Sequence, residues 1–221
     1  MTVSFQHRRK NTYTDHTKLA LHTLVHLFQL PKKTQQTNNI MTRILSFFGS
    51  LLGLTAGQNT YPPPAVMGDE SIMSKKEHGT SHVPVMKNLR WGCDWNTADR
   101  ICNFNRHYAE RAGYWVTTRF LQEETPPKEE EKVIDFYDSN TGKVLFSAPQ
   151  GRSFQEFVEE SQKHGWPSFR DNEVNWDYVR VLPNGETVSV DGTHLGHNLP
   201  DQKGSRYCIN LVSISGNPNE S

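Results

Sequence analysis

Between Val133 and Ile214 the chain repeats one pattern, a short β-prone run closed by a turn signal, and this pattern limits the fold more than any other feature of the sequence. Val133 to Phe146 reads as strand, turn and strand around Asp138-Ser139-Asn140-Thr141-Gly142. Tyr178 to Leu182 and Thr187 to Val190 flank Pro183-Asn184-Gly185 and predict a hairpin, whose strands run antiparallel. Ser205 to Ile214, centred on Tyr207, Cys208 and Ile209, is a further strand candidate. One helix interrupts the series. Ser153 and Glu156 have capping-box spacing, Phe154, Phe157 and Val158 share a face, and Gly165 supplies the stop, so a helix is predicted from about Phe154 to Lys163.

Upstream, the recurrence of Ile101, Phe104, Tyr108 and Ala112 predicts a helix beginning near Thr97 and stopped by Gly113. Tyr114 to Leu121 is aromatic and β-branched and predicts a strand, followed by a charged loop from Glu123 to Lys132. Residues 58–88 hold Pro62, Pro63, Pro64 and Pro84 among small polar residues and read as a linker, with the folded body, 89–221, beginning near Leu89 with a helical extension. Residues 1–57 read as a leader. From Met41, Arg43 precedes the apolar run Ile44 to Leu54 and the small residues Thr55, Ala56 and Gly57, the order of a targeting segment for an organelle or the secretory pathway; a cytoplasmic chain with an unstructured leader is the alternative.

With 221 residues, one cored domain with extensions is the expected size. The 24 basic and 24 acidic side chains balance, which argues against nucleic-acid binding by broad backbone neutralisation. Seven of the basic residues fall in the first 50 positions against Asp15 alone, so the body is acidic and the leader basic. The apolar run at Ile44 is short and broken by Gly49 and Gly53, so no stable membrane association is expected. Three cysteines, Cys93, Cys102 and Cys208, are too few for a disulfide scaffold or a four-cysteine zinc site.

Three groups can carry chemistry: Gly165-Trp166-Pro167-Ser168-Phe169, His194-Leu195-Gly196-His197 and Arg206-Tyr207-Cys208-Ile209-Asn210. A cysteine near cations and imidazoles can act as a nucleophilic thiolate, histidines can deliver protons, and Trp166 and Phe169 can line an apolar slot. Each also has an ordinary reading: cysteine as a small core residue, the histidines as loop or structural groups, Trp166 as a packing aromatic. His194, His197 and Cys208 with Asp201 are competent metal ligands in kind, but no CxxC pair or HExxH spacing accompanies them, so no metal is expected.

Taken together and in this order, the three motifs resemble the methionine-R-sulfoxide reductases, the selenoprotein-R-like family that repairs oxidised methionine under oxidative stress. The resemblance spans about residues 136–213, roughly a third of the chain, and includes Gly192-Thr193 before His194 and Asp201 after His197. It implies a mainly β fold with flanking helices, in which antiparallel β-sheets form a compact, open barrel-like domain. It also implies that Cys208 attacks the sulfoxide sulfur, that His194 and His197 protonate the departing oxygen, and that Trp166, supported by Phe169, packs on the substrate methyl group. It implies further that Arg206 favours the thiolate, Asn210 positions the reacting group and Asp201 orients the network, and that no metal or organic cofactor is required. The partners implied are oxidised methionine and an external thiol reductant such as thioredoxin or a glutathione-linked system.

The sequence departs from the family pattern at several positions. Many members hold a structural zinc on two CxxC pairs; Asp138-Ser139-Asn140-Thr141 and Val188-Ser189-Val190-Asp191 stand near those places, so that zinc is expected to be absent. His164 stands where a resolving cysteine is familiar, which leaves Cys102, Cys93 or an external thiol to reduce an oxidised Cys208. The loop from Asp201 to Arg206 is shorter than usual, and Leu199 stands where an aromatic is common. Two alternatives follow from the same residues: a redox-sensing or sulfoxide-binding module, and a metal-dependent enzyme using the His/Cys cluster.

Overall fold

A computed structural model describes residues 60–127 and 130–218, and the leader 1–57 with its targeting pattern lies outside the described residues. Among the described residues seven strands form two separate antiparallel sheets. β1 (Ile134–Tyr137) pairs with β2 (Val144–Ala148). The larger sheet has the order β3-β7-β6-β5-β4, from β3 (Ser168–Phe169), β4 (Val179–Val181), β5 (Glu186–Ser189), β6 (His194–Asn198) and β7 (Tyr207–Ile209). Three α-helices accompany them among the described residues: α1 (Trp95–Asp99), α2 (Phe120–Glu124) and α3 (Phe154–His164).

The fold is therefore mixed α/β with two open sheets, and the expected mainly β, barrel-like arrangement is not formed. Closure fails because the outer strands have other occupations. β3 is two residues long and pairs on one side with β7. The free edge of β4 is covered by the chain near Met67, where Gly68 N–H donates to Val181 O and Val181 N–H donates to Val66 O, at 2.9 and 3.0 Å. An edge so covered cannot pair with another strand. Single bridges, Phe146 with Val174 and Tyr137 with Ser215, join the small sheet to segments outside the larger sheet.

This cover also revises the linker. Residues 60–88 contribute Ala65, Met73 and Val85 to buried clusters, so the proline-rich stretch is part of the folded body. The helix expected from Thr97 ends early: α1 runs into a π turn at Arg100–Phe104, and the chain is irregular from Asn105 to Gly113. The Asn103 carbonyl accepts from Thr80 N–H at 3.0 Å rather than from a further helical amide, and the Asn103 side chain is drawn inward, accepting from Ser81 Oγ and Asn140 Nδ2 and donating to Asp99. Phe104 and Tyr108 are consequently exposed. The strand expected at Tyr114–Leu121 is instead a 3-10 turn, Trp115–Thr117, followed by α2. There Trp115 and Phe120 are buried with Trp91, and packing overrides β propensity.

α3 matches its sequence signals. Ser153 and Glu156 form the reciprocal capping box, and Gly165 ends the helix at φ 90°, the left-handed conformation that glycine adopts without cost. Its Phe157 joins Phe136, Phe146 and Phe169 in the aromatic centre of the core, with Phe146 and Phe169 stacked at 4.4 Å between ring centroids. This core fixes β3, and the segment preceding β3 carries Trp166.

Candidate functional site

The site is built on the paired strands β6 and β7. In an even strand His194 and His197, three residues apart, would point to opposite faces. A bulge intervenes: Thr187 pairs with Gly196 but the next residue, Val188, pairs with His194, so Leu195 is an extra residue on β6. The bulge brings both imidazoles to one cavity, their ring centroids 5.7 Å apart. His197 lies opposite Cys208 in the ladder. Gly196 permits the approach, since a Cβ there would lie 2.1 Å from the Cys208 carbonyl oxygen.

The cavity, of about 330 Å³, is lined by His194, Gly196, His197 and Leu199 from the β6 side, Cys208 and Asn210 from the β7 side, Trp166 before β3, and residues 106–109. Its walls thus draw on all three motifs. Trp166 Nε1–H donates to the Glu110 carbonyl at 2.9 Å, which fixes the indole. Asn210 donates from Nδ2 to the Leu195 carbonyl at 3.0 Å and accepts the Glu110 N–H at 3.1 Å.

Burial raises the Cys208 thiol above its ordinary value, and the Arg206 guanidinium on the same face of the strand pulls it back. Arg206 is itself buried; its Nε lies 3.7 Å from Asp201 Oδ2, an ionic approach too long for a hydrogen bond, and Nε and Nη1 have no hydrogen-bond partner among the described residues. Asp201 is engaged with Arg170 at 3.0 and 2.8 Å, and its carboxyl is held well below the carboxylate range by that pair. It stands on the outer flank, away from the cavity lining. His197 is lowered, first by burial and then by the neighbouring His194.

Other expected residues lie elsewhere. Phe169 is wholly buried in the aromatic core behind the site and does not line the cavity. Cys102 is also wholly buried, with Sγ donating to Ser213 Oγ at 3.5 Å, and Cys93 is partly buried; neither lines the cavity, and all three thiols are free. Burial pushes the Cys93 thiol up to about 12 and raises Cys102 as well, the opposite of what a ready resolving thiolate requires.

The metal alternative finds no geometric support at His194, His197 and Cys208. Among the described residues the ligand-type groups that converge within 4.8 Å are Glu160, His164 and Asp201, and there Arg170 already pairs with both carboxylates while Arg152 pairs with Glu160.

Four contributors escaped sequence reasoning: Arg106, His107, Glu110 and Glu186. Glu110 is almost fully buried, and its two carboxylate oxygens accept the N–H groups of Leu211 and Val212 at 2.9 and 3.0 Å. Burial pushes its carboxyl up to about 7 although those donors act the other way. No motif marks these positions. They enter the site through the irregular chain after the π turn and through the strand opposite β6.

No family model matches this chain, and no curated protein or solved structure was found to be similar to it.

Proposed function

We propose that the protein is a thiol-dependent reductase of methionine R-sulfoxide, with Cys208 as nucleophile. The reading is carried by one observation: Trp166, His194, His197, Cys208 and Asn210, from three separate motifs, line a single cavity. In this scheme Cys208 loses its proton and its sulfur bonds to the sulfoxide sulfur, while a histidine protonates the sulfoxide oxygen. The oxygen passes to Cys208 as the S–O bond of the substrate breaks, leaving methionine and a cysteine sulfenic acid. A first external thiol displaces water from that acid to give a mixed disulfide. A second thiol releases Cys208 and the oxidised reductant, so that two thiols are consumed for each sulfoxide reduced. Trp166 supplies an apolar wall suited to the S-methyl group. With Cys93 and Cys102 outside the cavity, the reductant comes from outside the described fold.

A second reading, a slowly recycled redox sensor, draws on the raised Cys208 thiol and the lack of a second thiol at the cavity. Both readings are tested by following the R and S epimers of N-blocked methionine sulfoxide with dithiothreitol, for the parent and Cys208→Ser. Turnover of the R epimer alone, lost in the variant, is expected. Oxidation of Cys208 without multiple turnover favours the sensor, and no reaction with either epimer refutes the reductase.

A further inference from the structure

We propose that Arg106 and Glu186 form a positioning pair for His194, in which Arg106 clamps the Glu186 carboxylate and Glu186 holds the Nδ1 proton of His194, leaving Nε2 to serve the cavity. The kinetic part of this inference rests on the reductase reading; the geometric part does not. His194 and Glu186 are each about 2% exposed, and Nδ1 lies 2.7 Å from Glu186 Oε1. An ionised carboxylate only accepts hydrogen bonds, so Nδ1 must be the donor. Glu186 meets that condition: burial works against its charge, but the bonds from His194 and Arg106 prevail and hold it at about 2.

With the Nδ1 proton fixed, the neutral ring presents Nε2 as an acceptor and the imidazolium presents Nε2–H as a donor. In either state the reactive nitrogen is the one not spent on Glu186. The clamp decides how well this holds. Arg106 Nε donates to both carboxylate oxygens at 3.1 and 3.0 Å, and Nη2 donates to Oε2 at 2.5 Å, a fork that leaves the carboxylate one orientation. Nη1 reaches the exposed Glu70 at 2.5 Å, a contact at the solvent end of the same side chain. Arg106 belongs to the chain that walls the cavity upstream of the three motifs. The site therefore depends on a segment outside the motif region.

The test combines kinetics with a direct reading of the imidazole. Nitrogen chemical shifts of His194, assigned by their loss in His194→Asn, report which ring nitrogen carries the proton. The parent is expected to show Nδ1–H alone when neutral. Arg106→Ala is expected to mix the two tautomers and to lower kcat on the R epimer between about 10- and 100-fold with KM nearly constant, as misplacement of a proton donor does. Arg106→Lys, with charge but no fork, is expected to recover part of kcat, and Glu70→Gln to behave as the parent. If Arg106→Ala loses its fold, Arg106→Gln takes its place.

An unmixed Nδ1–H tautomer with parental kcat in the Arg106 variants overturns the proposal. So does a rise in KM with kcat unchanged, which assigns Arg106 to substrate contact. If no form of the protein reduces either epimer, the reductase reading falls while the His194 spectra still decide the positioning.

Discussion

Glu110 offers the most quantitative test of how the site is held. Its carboxyl is nearly fully buried and stands at about 7 in the folded protein against an ordinary value of 4.5. A raised acid binds its proton more tightly in the folded than in the unfolded chain, so its favourable contribution is complete below pH 4.5 and is lost as pH rises through 7. At roughly 1.4 kcal/mol per pH unit between the two values, the loss is about 3 kcal/mol. Glu110→Gln cannot titrate. It also turns an amide NH₂ toward Leu211 N–H or Val212 N–H, which deprives one backbone donor of its acceptor at a pH-independent cost of about 1–3 kcal/mol. The variant is therefore expected to be the less stable form at pH 5, and the gap is expected to close or reverse by pH 8. His164 and His197, both lowered chiefly by burial, have the opposite sign: they favour the folded state more as pH rises. They are present in both proteins and cancel in the difference. Urea unfolding at pH 5, 6, 7 and 8 gives that difference directly. A parent-minus-variant gap that stays constant across the series refutes the reasoning.

Two further substitutions probe the framework. Gly196→Ala would set a methyl group 2.1 Å from the Cys208 carbonyl, and since backbone must move to admit it, a loss of about 3 kcal/mol or failure to fold is expected in urea unfolding; parental stability would show that β6 and β7 are not so closely apposed. Thr193→Val removes a hydroxyl that donates to Asp138 at 2.9 Å inside a wholly buried polar cluster, and should cost about 1–3 kcal/mol by thermal or urea unfolding, with an unchanged midpoint contradicting it.

That cluster shows what was legible in the sequence and what was not. The two segments read as standing near the zinc-binding places do meet, through a hydrogen bond between the Ser189 and Asp138 side chains; residues beside them add to the contact, since Thr193 Oγ1 donates to Asp138 and Lys143 pairs with Asp191 at 2.8 Å, while Asn140 N–H donates to Asp138 Oδ1 at 2.8 Å. Burial raises the Asp138 carboxyl, and the hydrogen bonds from Asn140, Thr193 and Ser189 oppose that rise. Local signals of fixed geometry were readable from residue order and spacing: the Ser153/Glu156 capping box, the Gly165 stop and the hairpin at Pro183-Asn184-Gly185 each specify backbone within a few residues. Periodicity misled where a tertiary partner outbid the local preference, as when the Asn103 carbonyl turned to Thr80 and ended the helix before Tyr108.

The early end of that helix bears on the site itself. A helix continued through Ala112 could not offer its Glu110 amide to Asn210, because that N–H would be spent on the Arg106 carbonyl one turn earlier. Irregular chain leaves the amide free, and with its carbonyl accepting from Trp166 the one residue ties the segments on either side of the cavity. The same irregular stretch delivers Arg106 to Glu186, and through it to His194. The three motifs supply the groups that face a substrate. Their relative placement is set by a segment that carries no motif, so sequence patterns could name the reactive side chains while the residues that hold them in register became visible only through their hydrogen bonds.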